Sequence, residues 1–370
     1  MRSMATRSCM TSLRATGAHP MGMSHSETIL WRWAMHKTAL EPTVQVPSTA
    51  LRRWAAALLG TTSIHAASIR IATLLLIVVA AVVVPHFTEF GNVQSLMYSV
   101  AAVGVGAIGM ALITLSGNLF MLSMGATAAV STVMFAALIH LGLGATLLLV
   151  VLSGLLMGAI QGGIIAMGKA NPIITTIATS SIIIGAGVIF TGGLTVIGRG
   201  DATWLGQGKL FGWLPTQIVV LAVFGAIASF ILQKSRIGRE IRLIGMRAEV
   251  ARIAGLRLMA ATLVCYGFAG AAAALAGSLI ASSSAQGNLT YGVDLDFNAI
   301  AAVLVGGISI RGGRGHISDA VTGAIFLAVI SNILLVSGVS YEYQLVAKGI
   351  VVLAAVVFGA LLARLGPGRK

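Results

Sequence analysis

Charge is what this chain has least of. Only 9% of its 370 residues are Asp, Glu, Lys or Arg, where a soluble domain carries about a quarter. Acids are scarcest, 10 against 24 Lys and Arg. Cysteine is nearly missing as well. Cys9 and Cys265 stand far apart, which excludes a disulfide framework and any cysteine metal spacing. His19, His25 and His36 are too loosely spaced for a metal site. No nucleophile and base fall into a pattern that supports an enzyme, and no cofactor is implied.

What fills the space is apolar. Hydrophobic residues make up 57% of the chain and mean hydropathy is +0.96. A polytopic all-α membrane protein is the direct reading. The net charge of +14 does not point to nucleic acid, because the basic residues sit in the N-terminal region and between apolar runs, where membrane topology places them.

Ten apolar segments follow one another, at about 69–84, 94–115, 119–141, 144–166, 173–190, 215–232, 258–282, 296–310, 317–336 and 343–365. At 1.5 Å per residue each covers about 30 Å of hydrocarbon or nearly so, the eighth being the shortest. With the N-terminus inside, ten crossings put Lys169, the basic stretch 234–257, Arg311 with Arg314, and the C-terminal tail all inside. Both termini are therefore expected in the cytoplasm, the permease domain over 64–366, and the spans in lipid. Residues 1–63 carry Arg2, Arg7, Arg14, Arg32, Arg52 and Arg53 among Ser, Thr and Met. They read as a disordered cytoplasmic tail, or as an over-extended start with Met21, Met23 or Met35 as alternatives; a transit peptide has a similar composition.

No span carries a charge at its centre. Lys348, a turn or two into the last, is the nearest exception and reads as snorkelling to the outer interface. Carriers driven by protons or sodium need an intramembrane ionisable group, so the energy source is expected elsewhere. Gly154, Gly158 and Gly162 make a small-residue face suited to helix packing. Uncharged polar residues inside or beside the spans, namely Asn118, Ser123, Gln161, Thr175, Thr176, Thr179, Asn298 and Asn332, read singly as interhelical hydrogen bonds and together as a polar path. Asn171-Pro172 interrupts the apolar run before the fifth span, a break tolerated where it lines a cavity or is buried. Gly104-Val-Gly106-Ala-Ile-Gly109 and Gly163 to Lys169 imitate nucleotide-binding loops, but neither joins a soluble strand to a helix.

The charged stretch 234–257 holds Lys234, Arg236, Arg239, Arg242, Arg247, Arg252 and Arg257 against Glu240 and Glu249. Within it Val250, Ile253 and Ala254 form one apolar stripe of a short helix, with Gly255 where a C-terminal cap belongs. Spacing alone leaves two readings open: a docking helix, or a basic loop that only sets topology.

The wording of this stretch resembles the coupling segment of ribose-type ABC importer permeases, G-R-x-x-x-A-I-G-G-N-x-x-A-A-R-L-A-G-I. Gly238, Arg239, Ile244, Gly245, Ala251, Arg252, Ala254 and Gly255 match; Met246 and Arg247 stand where the family has Gly-Asn. The stretch from Gln161 to Thr179 resembles N-G-L-L-V-A-K-L-R-V-P-P-F-I-A-T-L-G-T, Leu122-Ser-Met-Gly125 resembles L-S-V-G, and Asp296 to Gly315 resembles E-L-D-A-I-A-A-V-V-L-G-G…G-G-R-G. Family aspartates are replaced by Met121 and Asn298. Over about 65–365 the resemblance implies a type II-like importer fold with spans two to five and seven to ten as inverted repeats. It implies a second permease subunit, identical or not, ABC ATPase subunits docking on Gly238, Arg239, Gly245, Arg247, Ala251, Arg252, Ala254 and Gly255, and a periplasmic solute-binding protein. The solute is then a sugar, a polyol or an autoinducer-like furanosyl compound, moving past Asn118, Ser123, Gln161, Asn171, Thr175, Thr176, Asn298 and Asn332. The competing readings are a secondary carrier or channel without an ATPase, and a permease for branched-chain amino acids.

Overall fold

A computed structural model describes residues 64–365, Phe211 excepted. The N-terminal tail, Cys9, the three N-terminal histidines and the end of the C-terminal tail lie outside the described residues. Ten helices fall on the ten expected segments. The first five are α1 (Ile64–Val83), α2 (Phe90–Leu115), α3 (Met124–Leu138, continued by a 3-10 turn to Leu141), α4 (Leu143–Gly168) and α5 (Pro172–Thr191). A loop region follows with β1 (Val196–Ile197), the single turn α6 (Thr203–Gly206), and the small hairpin of β2 (Lys209–Leu210) and β3 (Leu214–Pro215). Then come α7 (Thr216–Lys234), the polar helices α8 (Arg236–Met246) and α9 (Ala248–Ile253), and α10 (Leu258–Ser284). After β4 (Gln286–Gly287) the chain closes with α11 (Leu295–Val305), α12 (Ile317–Val336) and α13 (Tyr341–Leu365). Hydrophobic runs take this form because lipid offers the backbone no hydrogen-bond partner, and a helix satisfies its own.

Among the described residues seven helices are long and apolar enough to cross a membrane: α2, α3 with its 3-10 turn, α4, α5, α7, α10 and α12. The apolar part of α1, Ala67–Val83, is slightly shorter, and α11 has only 11 residues. Two expected spans are thus broken. The third begins at Met124 instead of near 119, because the chain turns at Gly117, φ +84°, and runs back irregularly through Met121 and Ser123, both fully buried. The eighth stops at Val305, because Gly306 presses on the Asp319 carbonyl and Gly307 takes φ +88°. At about 1.5 Å per residue, α11 reaches little more than half of a hydrocarbon layer.

The most buried of the seven are α2 and α10. Each is followed by an irregular segment and a short helix, so one pattern occurs twice along the chain. The glycine face of α4 packs on α10: a Cβ at Gly158 would stand 2.1 Å from the Tyr266 carbonyl oxygen, and one at Gly154 2.4 Å from Ala274 Cβ. Backbones this close maximise dispersion contact where lipid supplies no hydrophobic drive. The nucleotide-loop look-alike in α2 is packing too, Gly106 lying against Leu295 and Gly109 against Ala272. Outside, Ile71, Val82, Ile189 and Phe190 are widely exposed, as lipid-facing side chains must be.

Candidate functional site

Ser235 starts α8 by accepting a hydrogen bond from Gly238 N at 3.0 Å. Gly238 itself lies against α7, where an added Cβ would meet the Ile231 carbonyl oxygen at 2.3 Å. The helix is strongly two-sided: Glu240, Ile241, Ile244 and Gly245 are buried, while Arg239 and Leu243 face out. Buried Glu240 is compensated by Arg236, Nε to Oε1 3.2 Å. Arg239 donates to the Lys234 carbonyl. The extended backbone of Arg247 (φ −156°) then breaks the helix and begins α9.

The end of α9 satisfies its carbonyls in the two-bond pattern that a left-handed glycine permits. Leu256 N donates to Ala251 O at 3.0 Å and Gly255 N to Arg252 O at 3.1 Å, with Gly255 at φ +74°. This is the cap expected from the sequence. The apolar stripe does not pack inward, however. Ala251 is buried, but Val250, Ala254 and above all Ile253, 89% exposed, point away from the bundle, beside Arg252 and Met246. This short apolar ridge, next to Arg247 and Arg252 in the chain, is left uncovered among the described residues.

At the end of α8 lies a junction made almost wholly of glycine. Gly313 N donates to Leu115 O at 2.9 Å. A Cβ at Gly245 would stand 2.0 Å from that same oxygen, and one at Gly312 2.8 Å from Gly117 Cα. The end of α2, the end of α8 and the loop between α11 and α12 therefore touch backbone to backbone. Nearby, Arg70 of α1 bonds Asp319 of α12 at 2.7 Å.

The polar residues separate into groups. Ser123, Gln161 and Thr176 come together: Ser123 Oγ donates to Gln161 Oε1 at 2.6 Å, and Leu122 N donates to Thr176 Oγ1 at 3.2 Å. All three are buried, and Gln161 Nε2 has no hydrogen-bond partner. Asn118 binds Ser116 Oγ in the turn after α2. Asn171 caps α5, accepting from Ile173 N, and Thr175 bonds back to its carbonyl. Asn332 exchanges two hydrogen bonds with Asn92 of α2, at 2.7 and 2.9 Å, a reciprocal amide pair joining α2 to α12. Asn298 is half-buried on α11, apart from the buried trio. Sequence reasoning passed over the exposed Leu243 and Met246 beside the ridge, and over Asp294 and Tyr341, which bond each other.

The family profile described as branched-chain amino acid transport system / permease component matches residues 92–356. The ribose import permease protein of Bacillus subtilis is 32% identical over 288 residues, 76% of this chain and 89% of that protein. The L-arabinose transport system permease protein of Escherichia coli is 33% identical, covering 76% of this chain and 87% of the relative. The galactofuranose transporter permease protein of Escherichia coli is 30% identical, covering 78% and 87%. No solved structure matches. On this likeness, with its many apolar helices, the chain is a multi-pass protein of the inner membrane and belongs to the permease-component family of these transport systems.

Proposed function

We propose that this chain is the translocating subunit of an ATP-driven importer and carries a small polar solute, a sugar, from the periplasm into the cytoplasm. The observation that carries the ATP-driven part is the ridge on α9. Val250 and Ile253 are apolar, exposed and held rigidly by the Gly255 cap, in the most basic stretch of the described chain. Such a ridge suits a groove on an ATPase subunit, and its arginines suit an acidic rim. Motion there passes through Gly245 to α2 and to the loop before α12, because backbone contacts leave no side chain to give way. Two permease subunits, identical or related, two ATPases and a periplasmic solute-binding protein complete the assembly. The termini, with the tail 1–63, lie in the cytoplasm.

The sugar is supported by the three curated relatives, whose names specify ribose, L-arabinose and galactofuranose. Ser123, Gln161 and Thr176 supply hydroxyl and amide groups inside the bundle, and Gln161 Nε2 is a donor still lacking an acceptor. Hydrolysis of ATP belongs to the partner, and this chain needs no cofactor.

Ile253→Asp tests the docking role. The side chain is 89% exposed, so folding is unaffected, while co-purification of the ATPase and ATP-dependent uptake of D-ribose fall by roughly tenfold or more, as for a lost interface anchor. Arg252→Glu acts in the same direction. Retention of both properties in both variants refutes the coupling role. Competition of D-ribose uptake by L-arabinose, and not by L-leucine, separates the sugar reading from a branched-chain amino acid one.

A further inference from the structure

The segment between α10 and α11 does not stay at the end of the bundle. It leaves the β1–β4 pair, where Gly287 faces Val196, and runs along α3 towards that helix's first turn. Asn288 exchanges hydrogen bonds with Thr132, and further on the Val293 carbonyl sits where a Cβ on Gly125 would approach to 2.2 Å. Gly125 lies just beyond Leu122, which is tied to Thr176 in the second turn of α5. The residues that follow Val293 therefore enter α11 well inside the length of the spans.

Those residues are polar. Asp294 is exposed and accepts a hydrogen bond from Tyr341 Oη; half-buried Asp296 accepts one from Phe297 N; Lys348, also half-buried, follows Tyr341 by seven residues on the same face of α13. Phe297, next to Asp296, and Tyr341 expose their rings, at 44% and 52%. Elsewhere the large hydrophobic side chains exposed on the spans are mostly Ile, Leu, Val, Phe and Met. An exposed carboxylate at this depth, with Asp296 and Lys348 only half covered, cannot face lipid, where charge is strongly disfavoured. These groups need water, or a second subunit with water between.

We propose that the face formed by Asp294, Asp296, Phe297, Tyr341 and Lys348 is a solute station on an aqueous path, recognising the hydroxyl groups of a neutral sugar. Carboxylates accept from neighbouring hydroxyls, the ammonium donates to their oxygens, and the aromatic rings cover the apolar face of the sugar. The Tyr341–Asp294 bond holds the carboxylate in place before the sugar arrives, so less ordering is required on binding. This rests on the importer reading and assigns Lys348 to the path instead of to the outer interface.

The test uses the full transporter in intact cells. Phe297→Cys and Tyr341→Cys are treated with a membrane-impermeant maleimide, with the unsubstituted chain as background, and D-ribose is the probe. Both cysteines are expected to react, at least one more slowly with D-ribose present. Asp294→Asn and Lys348→Met are expected to retain the ATPase on purification and to lower D-ribose uptake by roughly tenfold each, the weight of a hydrogen bond to a charged group. Reaction only with a lipid-soluble maleimide, or wild-type uptake in both variants, overturns the station and leaves the importer standing. Failure of the unsubstituted transporter to import D-ribose, L-arabinose or D-galactose overturns the sugar assignment of both, while impermeant labelling would still decide whether the face is wet.

Discussion

Gly245 and Gly255 belong to one motif and serve different ends. Gly255 is glycine for its backbone: φ is +74° and no atom lies within 4 Å of a Cβ placed there. Gly255→Ala should cost only the left-handed penalty, about 1–2 kcal/mol. Gly245 is glycine for its surroundings, with the Leu115 oxygen 2.0 Å and the Gly313 nitrogen 2.7 Å from a would-be Cβ. Gly245→Ala has to move three backbone segments and should destabilise by about 1–3 kcal/mol or more. Thermal unfolding of the two variants in detergent should show the larger fall in Tm for Gly245→Ala, and ATP-driven uptake should fall further in that variant than its stability alone explains. Equal effects would mean that the junction yields easily.

At the scale of elements, the joint between α3 and α4 separates glue from path. Ser123→Ala leaves both ends of the buried Gln161 amide unpaired and should cost about 1–3 kcal/mol. Gln161→Met removes the amide altogether. The double variant should then be nearly as stable as the parent, since no buried polar group is left unmatched. If stability returns and solute uptake does not, the pair belongs to the path; if both return, it was only packing. The Asn92–Asn332 pair between α2 and α12 is the comparison, because its four amide ends are largely matched within the pair and with the Phe87 carbonyl.

For the whole molecule the loops sort to two ends. The turn after α2, the end of α8 and the loop before α12 meet through Gly117, Gly245, Gly312 and Gly313, whereas the loops after α5 and α10 are paired as β1 and β4. The first end holds Arg242, Arg247, Arg311 and Arg314, a basic excess that topology assigns to the cytoplasm. Arg247→Cys should therefore resist an impermeant thiol reagent in intact cells and react in inside-out vesicles. Reaction from the periplasmic side would reverse the orientation and remove the ATPase-docking role with it.

Much of the molecule was legible in the chain because membrane insertion is a local rule. Apolar runs and their basic flanks placed ten helices, and the i, i+3, i+4 stripe followed by Gly255 placed the short helix α9 with its cap. A stripe does not reveal which way it faces, and Val250 and Ile253 turned out to face away from their own bundle. Nor does periodicity record how an apolar run is broken. The chain at 119–123, Leu-Phe-Met-Leu-Ser, is largely apolar and yet irregular, and the eighth run ends early, because Gly117 and Gly306 come close to distant backbone and Gly307 takes φ +88°. The amino-acid sequence by itself determined the class of the protein, the helices that fill its apolar runs and the place of its basic stretch, since each depends on a window of neighbouring residues. Only the tertiary structure decided that Ser123 meets Gln161, that Gly245 meets Leu115 and that Asp294 meets Tyr341, because such pairs are fixed by how helices pack and not by where residues stand in the chain.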